Sequence, residues 1–300
     1  MDAEGDIAAG IEKLAALMRD RRVLALSGAG VSTESGIPDY RGPRSAARRT
    51  HPIYYREFLS NPVARARYWA RSAIGWQHVV DARPNAGHVA LADMERSGAV
   101  LGVITQNVDG LHAAAGSHNL LDLHGSILQV VCLSCGTREH RAAVQERLLA
   151  SNPEWMNGPF RTASAEPDGD AHAEPPADGS FHVPNCLRCG GILKPEVVFF
   201  GENVPRDRVE KAFAMLGEAE ALLVVGSSLA VYSGYRFVQQ AARDGKPVAI
   251  VNSGPTRGDD VAAVRIEAAL GVALPRLAAV LGATTASLSH IPVLARPRLP

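Results

Sequence analysis

No apolar run in the chain reaches about 18 residues, so a membrane-crossing helix is not expected. Net charge is also missing. Thirty-one basic and 31 acidic residues cancel, which removes the long-range field that draws proteins to DNA or to anionic membranes. Neither nucleic acid nor membrane is therefore an expected partner. Cysteine is scarce: the four in 300 residues form two Cys-x-x-Cys pairs, which suit a reducing cytoplasm and a metal better than disulfides. The N-terminal MDAEGDIAAG is acidic and lacks the basic-then-apolar layout of a signal peptide, so none is expected. There is no internal repeat, and nothing specifies an oligomer, so a monomer is expected.

What remains is ordinary globular material, 46% hydrophobic and 21% charged, long enough for one large domain or a large one with a small one. The cancelled charge leaves room for a local basic groove, because Arg44, Arg48, Arg49, Arg65, Arg67 and Arg71 crowd one region. A solvated arginine-rich face explains them equally well.

Residues 21–41, RRVLALSGAGVSTESGIPDYR, organise the rest. Val23-Leu24-Ala25-Leu26 is an unbroken apolar run, the pattern of a parallel strand buried on both faces. It leads into Ser27-Gly28-Ala29-Gly30, where two glycines let backbone N–H groups close on a phosphate without a Cβ in the way. The dinucleotide fingerprint G-x-G-x-x-G is incomplete, since Thr33 stands at the third glycine position. A tight turn between a core strand and a helix is the plainer reading.

The flanking chain reads as alternating helices and strands. Ile7, Ile11, Leu14 and Met18 share one face of an opening helix. Residues 42–85, with four prolines, several arginines and Tyr54, Tyr55, Phe58, Tyr68, Trp69 and Trp76, read as short helices and loops forming a lid. A helix over 86–97 precedes a buried strand at 100–105, which ends on Gln106-Asn107-Val108-Asp109. A third strand at 120–123 ends at His124. The sheet resumes with Val197-Val198-Phe199-Phe200-Gly201-Glu202. A helix over 206–219 follows, then a strand at 222–225 ending in Gly226-Ser227-Ser228, a small-residue turn able to hold phosphate or ribose. A helix over 233–243, a strand at 247–251 ending in Asn252-Ser253-Gly254, and a closing helix over 272–281 complete the pattern. The tail 284–300 has little periodicity.

Right-handed winding then predicts an α/β, Rossmann-like doubly wound parallel sheet from residues 1–41, 86–130 and 196–283. Residues 42–85 and 131–195 supply the helical and the zinc-binding parts of a smaller inserted domain. The cleft between the two is the expected ligand site.

Within the second insertion, Cys132-Leu133-Ser134-Cys135 and Cys186-Leu187-Arg188-Cys189 are two knuckles, each followed by glycine. Two residues between cysteines let both thiolates face one tetrahedral Zn2+, and four such ligands close the site, making it structural. Four core cysteines or a redox pair are the alternatives. Much of the gap is RTASAEPDGDAHAEPPADGSFHVP, residues 161–184, which has little to bury and reads as a mobile loop. His172 and His182 read as loop histidines there.

The string GAGVSTESGIPDYR resembles the NAD-binding loop of sirtuins, the NAD-dependent protein deacylases. The resemblance continues in order through Thr105–Asp109, Leu123-His124-Gly125, the two Cys-x-x-Cys pairs, Gly226-Ser227-Ser228 and Asn252-Ser253-Gly254, covering roughly residues 10–282. It implies that the acyl oxygen of an acyl-lysine displaces nicotinamide from C1′ of NAD+, and that the acyl group ends on ADP-ribose. NAD is then a co-substrate, and acylated proteins are the partners. A lone histidine after a strand is otherwise a structural one. The resemblance instead makes His124 the general base on the ribose hydroxyls, with Asn107 beside it in catalysis.

By the same resemblance Asp109 and Ile37 hold the carboxamide, and Gln106 and Asn107 position the nicotinamide ribose. Gly28, Ala29, Gly30, Ser227 and Ser228 hold the phosphates, and Asn252 and Gly254 meet the adenosine side. Thr33, Pro38, Asp39, Tyr40, Arg41, Val108, Gly226, Ser253 and Leu270 complete the NAD site. Val198, Phe199, Phe200, Gly201 and Glu202 line the acyl-lysine path opposite the 229–232 loop. Tyr40 replaces a phenylalanine common in the family, as in the class II subgroup and its human mitochondrial member. Tyr68 and Arg71, one helical turn apart, resemble the pair that reads acidic acyl groups in desuccinylating sirtuins; plain packing of the lid is the other reading. A protein ADP-ribosyltransferase and a non-catalytic NAD-sensing module are the competing functions.

Overall fold

Three short runs of aliphatic residues, Val23–Ser27, Ala221–Val225 and Val248–Val251, are buried along their whole length. A strand can do that only in the middle of a sheet covered on both faces. In the computed structural model, which describes residues 3–39, 52–156 and 180–283, that is where they lie.

In chain order the elements of the first half are α1 Ala3–Met18, β1 Val23–Ser27, α2 Tyr55–Ser60, α3 Pro62–Asp81, α4 Ala86–Arg96, β2 Gly102–Thr105, α5 Leu111–Ala114, β3 Leu120–Asp122, β4 Gly125–Cys132, β5 Arg138–His140 and α6 Arg141–Ser151. The second half adds α7 Pro153–Met156, β6 Leu193–Val197, α8 Arg206–Glu218, β7 Ala221–Val225, α9 Tyr232–Arg243, β8 Val248–Val251, β9 Ala262–Ile266 and α10 Leu270–Val280. Six strands form a sheet in the order β3-β2-β1-β7-β8-β9, every pair parallel. The order reverses between β1 and β7, and ligands in such sheets bind at that switch point.

Successive side chains of a strand face opposite ways, so each central strand feeds two cores. Val23 and Ala25 pack with α1, α4 and α10 through Leu14, Leu91, Met94, Leu274 and Leu277. Leu24 and Leu26 pack on the other face with Ala212 and Leu216 of α8 and with Phe237 and Val238 of α9. Each such aliphatic side chain contributes roughly 1.5–3 kcal/mol by leaving water. Among the described residues no helix is long and apolar enough to cross a membrane.

The second layer departs from the expectation in three places. Residues 125–130 and Val197, where the sheet was expected to resume, do not join the parallel sheet; β5-β4-β6 make a separate antiparallel sheet. Residues 198–202 leave that sheet as a loop, because Phe199 turns into the small core between Phe58 and Tyr68, with ring centroids 5.0 Å from each. The lid is not all short helices, since α3 runs 20 residues. Pro62 opens it at the first position, where its missing N–H costs nothing. Asn61 caps it, its side chain accepting from Val63 N (2.9 Å) and Ala64 N (3.3 Å). Strand β9 and helices α6 and α7 were not anticipated. Tyr40, Arg41, Arg44, Arg48, Arg49, His172, the tail 284–300 and most of the 161–184 loop lie outside the described residues.

Candidate active site

The ends of β1 and β7 carry the two glycine turns, and the turns are built into each other. Gly28 N donates to Val225 O (3.1 Å) and Gly30 N to Gly226 O (2.8 Å). A Cβ on Gly28 would meet Ser227 Cβ at 2.7 Å, and one on Gly30 would meet Gly226 Cα at 2.9 Å. These glycines therefore let two turns touch back to back. That corrects the expectation that the N–H groups of Gly28 and Gly30 point at a phosphate. The chain after them is a 3-10 helix, Ala29–Ser35, so Thr33 at the third glycine position meets no packed α-helix. Thr33 Oγ1 donates to Gly30 O at 3.0 Å.

A buried hydrogen-bond network fills the space beneath. Ser32 Oγ donates to Asp109 Oδ2 (2.6 Å), and Asn107 Nδ2 donates to Ser32 Oγ (3.1 Å). Leu111 N donates to Asp109 Oδ1 (2.9 Å). Burial holds the Asp109 carboxyl above its usual range against these donors. Ser27 Oγ donates to Thr105 Oγ1 (2.8 Å) and lies 2.8 Å from His112 Nε2. His88 and His112 pack edge to face at 4.9 Å. Burial keeps both neutral, His112 down to about 4. Ile37 closes the network from the far end of the 3-10 helix, its N donating to Ser32 O (3.2 Å). Pro38 and Asp39 follow it on partly exposed backbone, and Val108 lies beside the network, its carbonyl accepting from Ile127 N (2.9 Å).

Gln106 bridges the two turns: its Nε2 donates to Ser227 Oγ (2.8 Å) and Ser27 O (3.2 Å). Ser228 is fixed by Arg257 N, which donates to its carbonyl at 3.0 Å. Leu229 follows with φ 56°, a left-handed backbone that its burial against the core must hold. At the end of β8, Asn252 Nδ2 donates to Gly254 O (2.8 Å), Arg265 bonds both Asn252 O and Gly254 O, and Ser253 Oγ donates to Ala268 O (3.0 Å). Leu270 backs the Gly226 turn, its Cδ1 2.7 Å from where a Cβ of Gly226 would sit.

His124 stands where the chain leaves β3 of the large sheet and enters β4 of the small one. Its carbonyl accepts from Val198 N (2.8 Å). Gly125 follows at φ 86°, and a Cβ there would overlap the carbonyl oxygen of Glu196. His124 Nδ1 is 2.9 Å from Gln106 O. A carbonyl only accepts, so Nδ1 carries the proton and Nε2 keeps a lone pair. Ser233 Oγ donates to that Nε2 at 2.7 Å. Burial, then the positive charges of Arg208 and Arg236, push the imidazole down to about 4 against the Gln106 bond, so it is neutral at physiological pH. Two residues back, burial and Asp109 raise Asp122 to about 6, with Arg208 opposing.

Across the cleft, Tyr68 and Arg71 are both buried, and the Tyr68 ring lies against Phe199. The Glu202 carboxylate turns inward. It accepts from Phe199 N (2.9 Å) and pairs with Lys194 Nζ (2.9 Å), whose ammonium also bonds Val197 O (2.6 Å). Phe200 and Gly201 form the outer edge of that loop, Tyr55 N donating to Phe200 O (2.9 Å).

The four cysteines lie apart from all this, with their sulfurs within 4.8 Å of one another. Cys132 and Cys189 are 3.5 Å apart, Cys135 and Cys186 3.8 Å. Thiolates about 2.3 Å from a tetrahedral zinc sit about 3.8 Å apart, so the set fits one Zn2+. Gly136 N and Gly190 N close matching turns on Cys132 O (3.0 Å) and Cys186 O (2.8 Å). His182 does not belong to this cluster, and its backbone N donates to Asn152 Oδ1 (2.7 Å).

Sequence reasoning did not single out Ser27, Ser32, His88, His112, Lys194, Arg208 or Ser233. The nearest signal was Asn85 three residues before His88, a reciprocal cap.

A switch-point nucleotide cleft with a neutral histidine at its mouth and a thiolate knot in the second layer defines an NAD-binding zinc protein of the Rossmann-like class. The chain belongs to the Sir2 family, whose sequence profile matches residues 28–233. It is 49% identical over 266 residues to NAD-dependent protein deacetylase 1 of Mycobacterium avium, covering 89% of this chain and 94% of that one. The NAD-dependent protein deacetylase of Bordetella bronchiseptica is 53% identical over 245 residues, 82% and 88% of the two chains. A solved Sir2 complex with a p53 peptide and NAD+ superposes with a TM-score of 0.72 at 29% identity, covering 91% of this chain and 99% of that one.

Proposed function

We propose that this cleft removes acyl groups from protein lysines at the expense of NAD+, releasing nicotinamide and passing the acyl group to ADP-ribose. The observation that carries the reading is the set of bonds on His124: Nδ1–H given to Gln106 O, Nε2 left as acceptor, at the crossing from one sheet to the other. NAD+ supplies the electrophilic C1′ when bound. His124 then takes a proton from a ribose hydroxyl at Nε2, and as a neutral imidazole it is ready to do so. Asn107 and Gln106 orient that ribose from the end of β2. Asp109, held protonation-prone by burial, faces the carboxamide together with Ile37. The interlocked turns of Gly28–Gly30 and Gly226–Ser228 form the phosphate floor, flanked by Thr33, Pro38 and Asp39, and the resemblance adds Tyr40 and Arg41 to the NAD-contacting set. Asn252, Ser253 and Gly254 meet the adenosine side, with Leu270 packed behind.

The acyl-lysine threads between the 198–202 and 229–232 loops, its backbone adding as a strand. Lys194 and Glu202 stiffen the first of these loops. One Zn2+ on Cys132, Cys135, Cys186 and Cys189 is structural, since four thiolates leave no open position. Thiolates kept for a metal fit a reducing compartment such as the cytoplasm. The lobes divide near residues 41, 85, 124 and 198. Tyr40 supports a class II-like subgroup, and the buried Tyr68 and Arg71 support a preference for acidic over acetyl groups.

Replacing His124 with alanine is expected to leave the fold and NAD+ binding intact and to cut deacylation about 10²-fold or more. Mass-spectrometric turnover of an acetyl-lysine peptide, beside NAD+ binding by calorimetry, measures both. Near wild-type turnover overturns the assignment, and nicotinamide release that needs no acyl-lysine favours ADP-ribosyl transfer.

A further inference from the structure

His124 is held by two hydrogen bonds, and the reaction accounts for only one. The bond from Nδ1 to Gln106 O sets the tautomer. The bond at Nε2 comes from Ser233 Oγ, 2.7 Å away. A neutral imidazole has a single in-plane lone pair, and here a hydroxyl already sits on it. Any ribose hydroxyl that is to lose its proton needs that same lone pair. Ser233 therefore stands where the substrate's hydroxyl has to be.

The placement of Ser233 is well anchored. It is the second residue of α9, whose first turn is closed by Gly234 N and Tyr235 N, both donating to Val231 O at 3.2 Å. Arg236 Nε donates to Ser233 O at 3.2 Å. Gly234 leaves room for Gln106, whose amide would overlap a Cβ there. Gln106 thus touches α9, accepts from His124 and bridges the glycine turns. With the backbone pinned on these sides, the hydroxyl can leave Nε2 only by changing its χ1 rotamer.

We propose that Ser233 is a positioning residue that latches His124: its hydroxyl occupies Nε2 in the nucleotide-free protein and swings aside when the ribose hydroxyl of NAD+ arrives. The proposal rests on His124 being the general base. No covalent bond changes in the exchange; one O–H donor replaces another on the same nitrogen. The latch keeps the ring aimed into the cleft and its lone pair shielded from water until the nucleotide is seated. The other charged groups about the ring are Arg208 of α8 and Arg236 of α9, with Asp122 of β3, Asp109 beyond it and Glu196 of β6 on the acidic side. None of them reaches Nε2. A donor on Nε2 stabilises the neutral ring, so its removal makes the imidazole easier to protonate.

The test compares Ser233→Ala, Ser233→Cys and Ser233→Thr with the wild type. In nucleotide-free protein, nitrogen NMR should show the His124 titration moving up by roughly 0.5–1 pH unit in Ser233→Ala, the span of one net hydrogen bond. Ser233→Cys, a weaker donor of similar shape, should fall between, and Ser233→Thr should match the wild type. With acetyl-lysine peptide, kcat/KM for NAD+ should rise about two- to tenfold in Ser233→Ala and its acid limb should shift with the titration. The acid limb of kcat should move little, because Ser233 has already left Nε2 in the complex. An unmoved titration in both Ser233→Ala and Ser233→Cys, or a fall in kcat/KM, overturns the latch. The His124→Ala variant separates the two readings: full activity there overturns the base itself, whereas lost activity there with an unmoved Ser233→Ala titration overturns the latch alone.

Discussion

In the large sheet each central strand buries aliphatic carbon on both faces, whereas the inner positions of the small lobe include Arg141, Gln145 and Lys194. Arg141 is fully buried between Trp69 and Trp76, its guanidinium 5.2 and 5.0 Å from the two ring centroids. It donates to Gln145 Oε1 (2.7 Å) and to the Ser72 carbonyl and hydroxyl, with no carboxylate paired to it among the described residues. Burial pulls it down to about 10. The small lobe thus buries charge beside an aromatic core, and its four clustered cysteines give it a further means of closure. The difference teaches that the small lobe depends on its metal and the large one on packing alone.

The comparison can be broken most forcefully at the metal. Elemental analysis should find one zinc per chain. Cys132→Ser should cost on the order of 5 kcal/mol or more locally, since structural zinc carries ~10–16 kcal/mol of folding free energy in small peptides. Hydrogen exchange should show β4–β6 opening while β1 and β7 stay protected. Simultaneous loss in both sheets would make the lobes one cooperative unit. Next in size is the counterpart in the large lobe. Leu24→Ala should cost about 2–5 kcal/mol in urea unfolding, the price of a cavity beneath β1. A loss below about 1 kcal/mol would mean that packing there is looser than the burial implies.

Smaller effects sharpen the picture inside the small lobe. If Arg71 meets an acyl carboxylate, Arg71→Met should lower succinyl- or glutaryl-lysine turnover by about 10- to 100-fold and spare acetyl-lysine. A parallel fall on both peptides would leave Arg71 a packing residue. Smallest of all should be Arg141→Met. A buried cation replaced by a well-packed apolar chain of similar length is expected to stay within about 1 kcal/mol of wild type, or to gain. Thermal unfolding measures it, and a loss beyond about 3 kcal/mol would reveal an anion facing the guanidinium.

The same contrast explains what could be read in advance. The runs Val23–Ser27, Ala221–Val225 and Val248–Val251 announce themselves because nothing polar interrupts them. Strand β9 does not, because its edge position lets Arg265 sit in its middle and bond back to Asn252 and Gly254. Helix α6 hides because Arg141 and Gln145 occupy its buried face, so its apolar period is incomplete. Residues 125–130 and the start of 197–202 were assigned to the wrong sheet because a short half-buried strand looks the same in either; only pairing decides. Pro62 suggested a break where it begins a helix. The cysteine knuckles were legible through spacing, whereas the NAD and acyl-lysine residues were named through resemblance alone. Ser233 carries no local signal, because a serine in a helix's first turn usually does no more than that.

The crossing at His124 and Gly125 has one more consequence, for how this chain can change over generations. Leu123 belongs to one core and Ile127 to another, and His124 stands between them. Surface connections elsewhere can lengthen at small entropic cost without disturbing either core. A single residue added between Asp122 and Gly125 would rotate the imidazole away from Gln106 and push a side chain against Glu196. Insertion libraries should therefore leave a silent gap at 122–125, one that marks the joint between the two sheets without any assay of chemistry.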